Sequence, residues 1–170
     1  MTVPVAVKIA PHFTSIGDTV REIAAAGAKG IVLFNRYYTV DVDIATKRFV
    51  PAVTFSSPTE LFTVLRWVGL LAGKVTCDIA ASTGIHDAAG VIRALMAGAT
   101  VACLCSALYR NGPEYLADLR SGLDSWLDSN GYASVADIRG LAACDKGTTD
   151  VLLHRLQYIK SFDEAEKYEY

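Results

Sequence analysis

The chain has 170 residues, with 16 basic and 18 acidic side chains and a formal net charge of −2, which fits one domain. The charges are interspersed and form no basic stripe of the kind that binds nucleic acid. No apolar run is long enough to span a bilayer and the N-terminus lacks a signal-peptide pattern, so we expect a cytoplasmic protein without nucleic-acid or membrane partners.

Four strands are predicted in chain order, separated by helices and small-residue loops. The second is a continuous apolar run, which is typical of a strand buried on both faces. Ser57 to Glu60 forms a capping box for the helix before the third strand. The predicted strands cover residues 3–10, 30–35, 74–80 and 100–106.

A weak internal repeat supports a parallel arrangement of these strands. Ala26-Gly27-Ala28 and Ala97-Gly98-Ala99 each end a helix and precede a strand, and βα units in series imply parallel strands with right-handed crossovers. Two neighbouring small-residue loops after the last strands form a phosphate pocket in a (β/α)8 barrel, which needs about 250 residues when complete. The sequence therefore predicts an α/β fold: the C-terminal half of a (β/α)8 TIM barrel, with four parallel strands, their helices and a C-terminal helical tail.

The remaining segments divide the chain into three parts. The connection from Arg36 to Ser56 is too long for an ordinary loop, so we expect it to be functional or to pack as an excursion. After the fourth strand, Pro113 begins an amphipathic helix. We expect a half-barrel over 1–112, helices that pack on it over 113–162, and a charged tail over 163–170.

Polar and small residues cluster where the predicted strands end, at the functional edge of a parallel α/β sheet. Lys8, in an apolar run, either meets an anion there or extends to solvent. Asn35 is a turn former or a ligand-binding amide, and Arg36 is a solvent-facing residue or an anion clamp. The small residues after the last two strands either let backbone N–H groups approach an anion, which the helix dipole near His86 would also attract, or simply allow the loops to close. The small-residue candidates are 81–84 and 105–106.

The cysteines and histidines predict no metal site and no acid–base site. Cys103 and Cys105 have the only ligand-like spacing among the four cysteines, and a strand is a poor zinc site. We expect the strand cysteines to be small buried residues in a reducing compartment. His12 and His86 follow strands as loop or cap residues.

Over roughly residues 3 to 140, an ordered set of motifs resembles the dihydroorotate dehydrogenase family, most closely its less characterised dihydroorotate dehydrogenase-like branch. The resemblance covers strands five to eight of the family barrel. It implies an FMN-dependent oxidoreductase that acts on CH–CH groups, converting dihydroorotate to orotate in pyrimidine biosynthesis or oxidising a related acid. The motifs are Val5-Ala6-Val7-Lys8-Ile9-Ala10-Pro11, Leu33-Phe34-Asn35-Arg36, Arg66-Trp67-Val68-Gly69, Ala80-Ala81-Ser82-Thr83-Gly84-Ile85 and Ser106-Ala107-Leu108-Tyr109-Arg110-Asn111-Gly112-Pro113.

The resemblance implies a role for each candidate residue. Lys8 matches a lysine beside the flavin N1 and O2 edge, and Asn35 matches an asparagine that contacts the pyrimidine substrate. Ser57 lies near the position of a Ser-Gly turn that faces the flavin. The residues that match the two loops gripping the FMN phosphate are Ser82, Thr83, Gly84, Cys105 and Ser106.

The sequence also departs from the family pattern. Arg36 stands where the family has Ser or Thr, and it favours another acidic substrate. Ser82-Thr83 replaces a Gly-Gly pair and Cys105 replaces a Gly, which makes both phosphate loops bulkier. The family's general base belongs to the half that the resemblance does not cover, so we expect no catalytic residue here and no activity from this chain alone.

A second interpretation is a non-catalytic half-barrel that binds FMN or another phosphate, or an oligomerising fragment. A half-barrel leaves two strand edges unpaired and one sheet face uncovered. We therefore expect it to associate with the missing N-terminal half or to form a homodimer.

Overall fold

The computed structural model describes residues 2–52 and 54–144. The predicted tail over 163–170 and the end of the segment 113–162 lie outside the described residues. The elements in chain order are β1 (Ala6–Ile9), α1 (Ile16–Ala25), β2 (Gly30–Leu33), β3 (Val40–Asp43), β4 (Arg48–Pro51), a 3₁₀ turn (Pro58–Glu60), α2 (Leu61–Leu71), β5 (Asp78–Ser82), α3 (Ala88–Ala97), β6 (Val101–Cys103), α4 (Ser106–Asn111), α5 (Tyr115–Ser129) and α6 (Val135–Ile138).

One four-stranded sheet organises the fold, with the order β1-β2-β5-β6 and parallel pairing throughout. This confirms the predicted fold class, four parallel βα units in sequential order as in half of a (β/α)8 barrel. All four strands were predicted too long, and the first two cover only Ala6–Ile9 and Gly30–Leu33. The third begins only at Asp78, after a turn that follows Gly73, and the fourth ends at Cys103 because Ser106 begins α4.

One face of this sheet is buried under the helices. Ile31 and Leu33 of β2 point to this face and are fully buried, as is Val20 of α1. Burying each such aliphatic side chain contributes about 1.5–3 kcal/mol. The left-handed backbone at Gly98, with φ at +112°, ends α3 and returns the chain to β6 as the repeat predicted.

The opposite face of the sheet is open. The register places Lys8, Val32, Ala80 and Val101 in one row across the four strands. The exposed fraction of Val101 is 49%. In a closed barrel this row would face the interior, so the open face is the surface that the half-barrel prediction leaves uncovered.

The long connection after β2 is an excursion that contains an antiparallel hairpin. β3 pairs with β4, and the turn between them is held by the Asp43 carboxylate, which accepts hydrogen bonds from the backbone of Ala45 and Thr46. The hairpin forms its own two-stranded sheet. It leaves Ile44 and Phe49 largely exposed.

The expectation of small buried strand cysteines is wrong for all three cysteines that it concerned, which are Cys77, Cys103 and Cys105. Cys77 precedes β5, Cys105 caps α4, and only Cys103 lies in a strand. Cys105 is therefore exposed and the other two are half-buried, whereas Cys144 is buried. None of the four cysteines forms a disulfide bond.

Candidate functional site

A cavity of about 310 Å³ lies where the strands of the main sheet end. Eight of the nine candidate site residues line it, and Ser57 does not. The lining residues are Lys8, Asn35, Arg36, Tyr38, Thr54, Ser56, Ser82, Thr83, Gly84, Ile85, Cys103, Leu104, Cys105 and Ser106. A larger cavity of about 670 Å³ lies at the opposite end of the sheet, but its lining is mostly apolar and offers only one charged side chain, Lys29.

Several polar side chains of the cavity, among them Lys8, Asn35 and Ser82, have no partner among the described residues. The Ser82 hydroxyl is the most informative, because the residue is only 7% exposed and a buried hydroxyl without a hydrogen bond costs about 1–3 kcal/mol. Lys8 lies on the same face of the sheet, and Asn35 follows β2. The cavity thus presents an ammonium, an amide and a hydroxyl that are all available to a ligand.

Arg36 is held in place by the segment that precedes α2. Its Nε donates to Glu60 Oε2 at 2.8 Å, and a terminal nitrogen donates to the Thr54 carbonyl at 3.0 Å. Glu60 Oε1 accepts the Ser57 backbone N–H at 2.7 Å. Ser57 therefore caps the 3₁₀ turn instead of facing the cavity, and Glu60 ties that cap to the Arg36 guanidinium.

Ser56, which the sequence did not single out, takes the place at the cavity that Ser57 was expected to have. It is 5% exposed. Its Oγ lies 3.0 Å from His86 Nε2 and 3.0 Å from Ser106 Oγ, and its backbone N–H donates to Ser106 Oγ at 3.0 Å. We call Ser56, Ser106 and His86 the hydroxyl–imidazole network. Its members come from three segments that are far apart in the sequence, so no local sequence signal could reveal it.

Burial lowers the pKa of His86 below its ordinary value, and the nearby positive charge of Arg110 lowers it further. A hydrogen bond with the Ser56 backbone and the carboxylates of Asp87 and Glu60 act in the opposite direction but are outweighed. Burial and Arg110 therefore both favour the neutral ring. Because Ser56 Oγ donates its one proton to Ser106 Oγ, it accepts a hydrogen bond from a proton on His86 Nε2.

The loop after β5 has a strained and crowded backbone. Thr83 adopts a φ of +90°, which is unusual for a β-branched residue. Its hydroxyl donates to the Phe34 carbonyl at 3.2 Å. At Gly84, with φ at +79°, an added Cβ would lie 2.2 Å from the Leu61 backbone nitrogen. Gly84 is thus required by the close approach of this loop to the start of α2.

The helix dipole expected to favour an anion near His86 is already compensated. Asp87 is the N-cap of α3, and its side chain accepts the Gly90 backbone N–H at 2.6 Å. A carboxylate at this position satisfies the positive end of the helix. Anion binding in the cavity must therefore depend on hydroxyls, loop backbone and cationic side chains.

The described part of the chain offers neither a metal-binding cluster nor a membrane-spanning helix. Within 2–52 and 54–144, no group of three or more His, Cys, Asp or Glu side chains is arranged to hold a metal ion. Over the same residues, every helix is too short or too polar to cross a membrane.

Comparison with known proteins gives a consistent set of relatives, although no family model matches the chain. Over 142 residues it is 29% identical to the dihydroorotate dehydrogenase B (NAD(+)) catalytic subunit of Pyrococcus abyssi, an alignment that covers 82% of this chain and 48% of that protein. The subunits of the same name from Lachnoclostridium phytofermentans and Methanothermobacter thermautotrophicus are 29% and 27% identical, over 84% and 82% of the chain and 47% and 48% of their own lengths. The resemblance read from the motifs is thereby confirmed, and the chain spans about half the length of the curated relatives it matches.

Proposed function

Because the chain is a relative of the dihydroorotate dehydrogenases, we propose that it supplies the cofactor-binding half of an FMN-dependent oxidoreductase. The proposed reaction is the conversion of dihydroorotate to orotate in pyrimidine biosynthesis, or the oxidation of a CH–CH bond in a related acid. One observation carries the proposal: the buried Ser82 hydroxyl lacks a partner among the described residues and lines the cavity. A phosphate oxygen, which only accepts hydrogen bonds, would satisfy that donor.

The two loops of the cavity would hold the phosphate. Ser82 and Ser106 offer hydroxyl donors, and the chain at Gly84 and Cys105 offers backbone N–H groups. The Thr83 hydroxyl is excluded from this role because it already donates to a carbonyl. The site therefore depends on two side-chain donors and on the loop backbone.

Lys8 supplies the positive charge that the cofactor requires. Its ammonium is exposed on the open face and has no partner among the described residues. Bound FMN would supply the hydride acceptor that no amino-acid side chain provides. The Lys8 charge would favour the anionic reduced form of the flavin, because opposite charges attract more strongly where water is excluded.

Asn35 and Arg36 would bind the substrate. The Asn35 amide has both donors and acceptors, which suits a pyrimidine ring. Arg36 is anchored by Glu60 and Thr54, so its planar guanidinium is fixed before a ligand arrives. Its positive charge, which Glu60 offsets in part, would favour an acidic substrate over a neutral one.

The general base and the rest of the substrate pocket would come from the N-terminal half of the barrel. Among the described residues, β1 and β6 of the main sheet each pair on one side only. We propose that a missing N-terminal half or a second copy pairs with these edges and covers the open face. The half-barrel over 1–112 would form the surface that it meets, with α5 and α6 packing behind it against α3.

An FMN titration of the full chain tests the proposed site. FMN fluorescence should change on binding, and Ser106→Asp should weaken binding at least tenfold because a carboxylate beside the phosphate repels it. Ser121→Asp, on the exposed side of α5, is the control that adds the same charge elsewhere and should bind like the wild type. Absence of FMN binding, or equal losses in both variants, would count against the site.

The second candidate is a non-catalytic half-barrel that binds FMN or another phosphate, favoured by a chain that spans only half of its relatives. A dye-reduction assay with dihydroorotate and FMN should give no turnover with this chain alone. Adding the N-terminal half of a relative should restore turnover if the oxidoreductase proposal is right. FMN binding that never leads to turnover in the assembled barrel would favour the non-catalytic function.

A further inference from the structure

We propose that Glu60 is a positioning residue that holds both ends of the cavity in place. The inference rests on the proposed function, because the two ends are the proposed phosphate and substrate ends of one site. Glu60 itself does not line the cavity, whereas Arg36, Thr54 and Ser56 do. Any effect of Glu60 on a bound ligand therefore acts through the residues that it holds or through its charge.

The first role of Glu60 is that of a local cap. In Ser57-Pro58-Thr59-Glu60 the glutamate stands at the third position of the turn, and its Oε1 accepts the Ser57 backbone N–H at 2.7 Å. This contact uses only one of the two carboxylate oxygens. A cap requires nothing of the other oxygen, so its partner is informative.

The second oxygen binds a residue that is distant in the sequence. Oε2 of Glu60 accepts the Arg36 Nε–H at 2.8 Å, and both side chains are half-buried. Arg36 also donates to the Thr54 carbonyl at 3.0 Å. One carboxylate thus fixes the guanidinium and, three residues after Thr54, the backbone of Ser57.

Residues 54–57, which we call the wall segment, are held by side chains. These four residues belong to no helix or strand. Their backbone contacts are those of the Thr54 carbonyl with Arg36, the Ser56 N–H with Ser106 Oγ at 3.0 Å, and the Ser57 N–H with Glu60. Because Ser57 directly follows Ser56, the contact with Glu60 fixes where Ser56 meets Ser106.

Glu60 also lies against the loop after β5. A Cβ added at Gly84 would come within 2.9 Å of the Glu60 carbonyl carbon, so this loop packs directly on the Glu60 backbone. Glu60 therefore contacts one proposed phosphate loop by its backbone and reaches the other through the wall segment. That position gives it a role in ligand binding that an ordinary helix cap does not have.

FMN titration of variants of the full chain separates positioning from charge. Glu60→Ala leaves the Ser57 N–H without its acceptor and should weaken FMN binding about fivefold, as expected for one lost hydrogen bond. Removing a negative charge would by itself tighten the binding of a phosphate. The expected loss therefore has the opposite sign to a charge effect.

Glu60→Gln removes the same charge but keeps a carbonyl oxygen that can accept the Ser57 N–H. The Arg36 side chain can turn away from the new amide NH2, whereas the Ser57 backbone cannot. This variant should consequently bind FMN at least as tightly as the wild type.

Asp137→Ala is the matched control. Asp137 holds an equivalent cap at α6, where its carboxylate accepts the Ser134 backbone N–H at 2.8 Å, and it is exposed and outside the cavity. Its loss removes a cap of the same kind and should leave FMN binding unchanged.

Hydrogen exchange measured by NMR tests the two contacts without a ligand. The Arg36 Nε–H should exchange at least tenfold faster in Glu60→Gln than in the wild type, because an amide NH2 cannot accept it. Should Glu60→Ala fail to fold, the Ser57 N–H of the wild type decides the other contact. It should be protected from exchange although it lies outside any helix or strand.

The inference would be overturned by FMN binding that is undiminished in Glu60→Ala, equally weak in Glu60→Gln, or equally weak in Asp137→Ala. An unprotected Ser57 N–H, or an Arg36 Nε–H that exchanges equally in Glu60→Gln and the wild type, would also overturn it. A wild type that binds no FMN would instead overturn the proposed function, and the exchange rates alone would then decide whether Glu60 holds Arg36 and the wall segment.

Discussion

Ser82 and Ser56 are two buried serines in one cavity, and replacing each by alanine should change stability in opposite directions. The Ser82 hydroxyl has no partner among the described residues, and the Ser56 hydroxyl contacts both Ser106 and His86. An unsatisfied buried hydroxyl costs about 1–3 kcal/mol, and a satisfied one contributes about 1 kcal/mol. Ser82→Ala should therefore raise the free energy of unfolding by about 1 kcal/mol, and Ser56→Ala should lower it by about the same amount.

Ser82→Ala should also weaken the binding of FMN. Loss of one hydrogen bond to a charged phosphate is worth about 1.5–3 kcal/mol, which corresponds to roughly tenfold or more in FMN affinity. Urea unfolding of the ligand-free chain and an FMN titration on the same preparations measure the two effects. A Ser82→Ala variant that is less stable than the wild type, or that binds FMN equally well, would refute the assignment of Ser82 as a ligand donor.

Three further substitutions test other parts of the site. Gly84→Ala places a Cβ against the Leu61 backbone at a left-handed φ, which should lower the free energy of unfolding in urea by about 2–5 kcal/mol. The control Gly17→Ala has open space around its Cβ and should leave that free energy unchanged or raise it by up to about 1 kcal/mol. Similar effects of the two substitutions would contradict the packing argument. Burial lowers the pKa of His86, so the unfolded chain binds a proton that the folded chain does not. The free energy of unfolding should therefore fall as the pH drops below about 6.5. His86→Gln should flatten that pH dependence, and an unchanged pH profile in this variant would show that His86 is not its source. In an assembled barrel, Lys8→Met should lower the flavin reduction potential, since a charge that stabilises the reduced form is lost; spectroelectrochemical titration showing no shift would assign Lys8 a purely structural role.

The sequence was informative where a pattern repeats locally. Continuous apolar runs such as Gly30 to Leu33 predicted buried parallel strands. Gly27 and Gly98, both with a left-handed backbone, indicated where the preceding helices end. Strand boundaries were less predictable, because turn residues after Gly73 and the start of α4 at Ser106 compete with β-forming side chains. The parallel topology followed from the order of the units, whereas the length of each strand depended on tertiary contacts.

The cavity was predictable because parallel strands bring their carboxyl ends to one edge. That rule alone placed Lys8, Asn35 and the two small-residue loops together. It could not predict that Ser56, and not Ser57, lines the cavity. That outcome depends on Glu60, which accepts the Ser57 backbone N–H and holds Ser57 in the cap of the 3₁₀ turn. Nor could it reveal the partnership of Ser56 with His86, which joins residues 30 positions apart.

The location of the FMN phosphate tests the central claim most directly. A crystal structure of the full chain with FMN, alone or joined to the N-terminal half of a relative, would show it. The phosphate should lie between the loops at 82–84 and 105–106, within hydrogen-bonding distance of the Ser82 and Ser106 hydroxyls. A phosphate bound elsewhere on the chain, or a structure in which both hydroxyls remain without contact to it, would contradict the account.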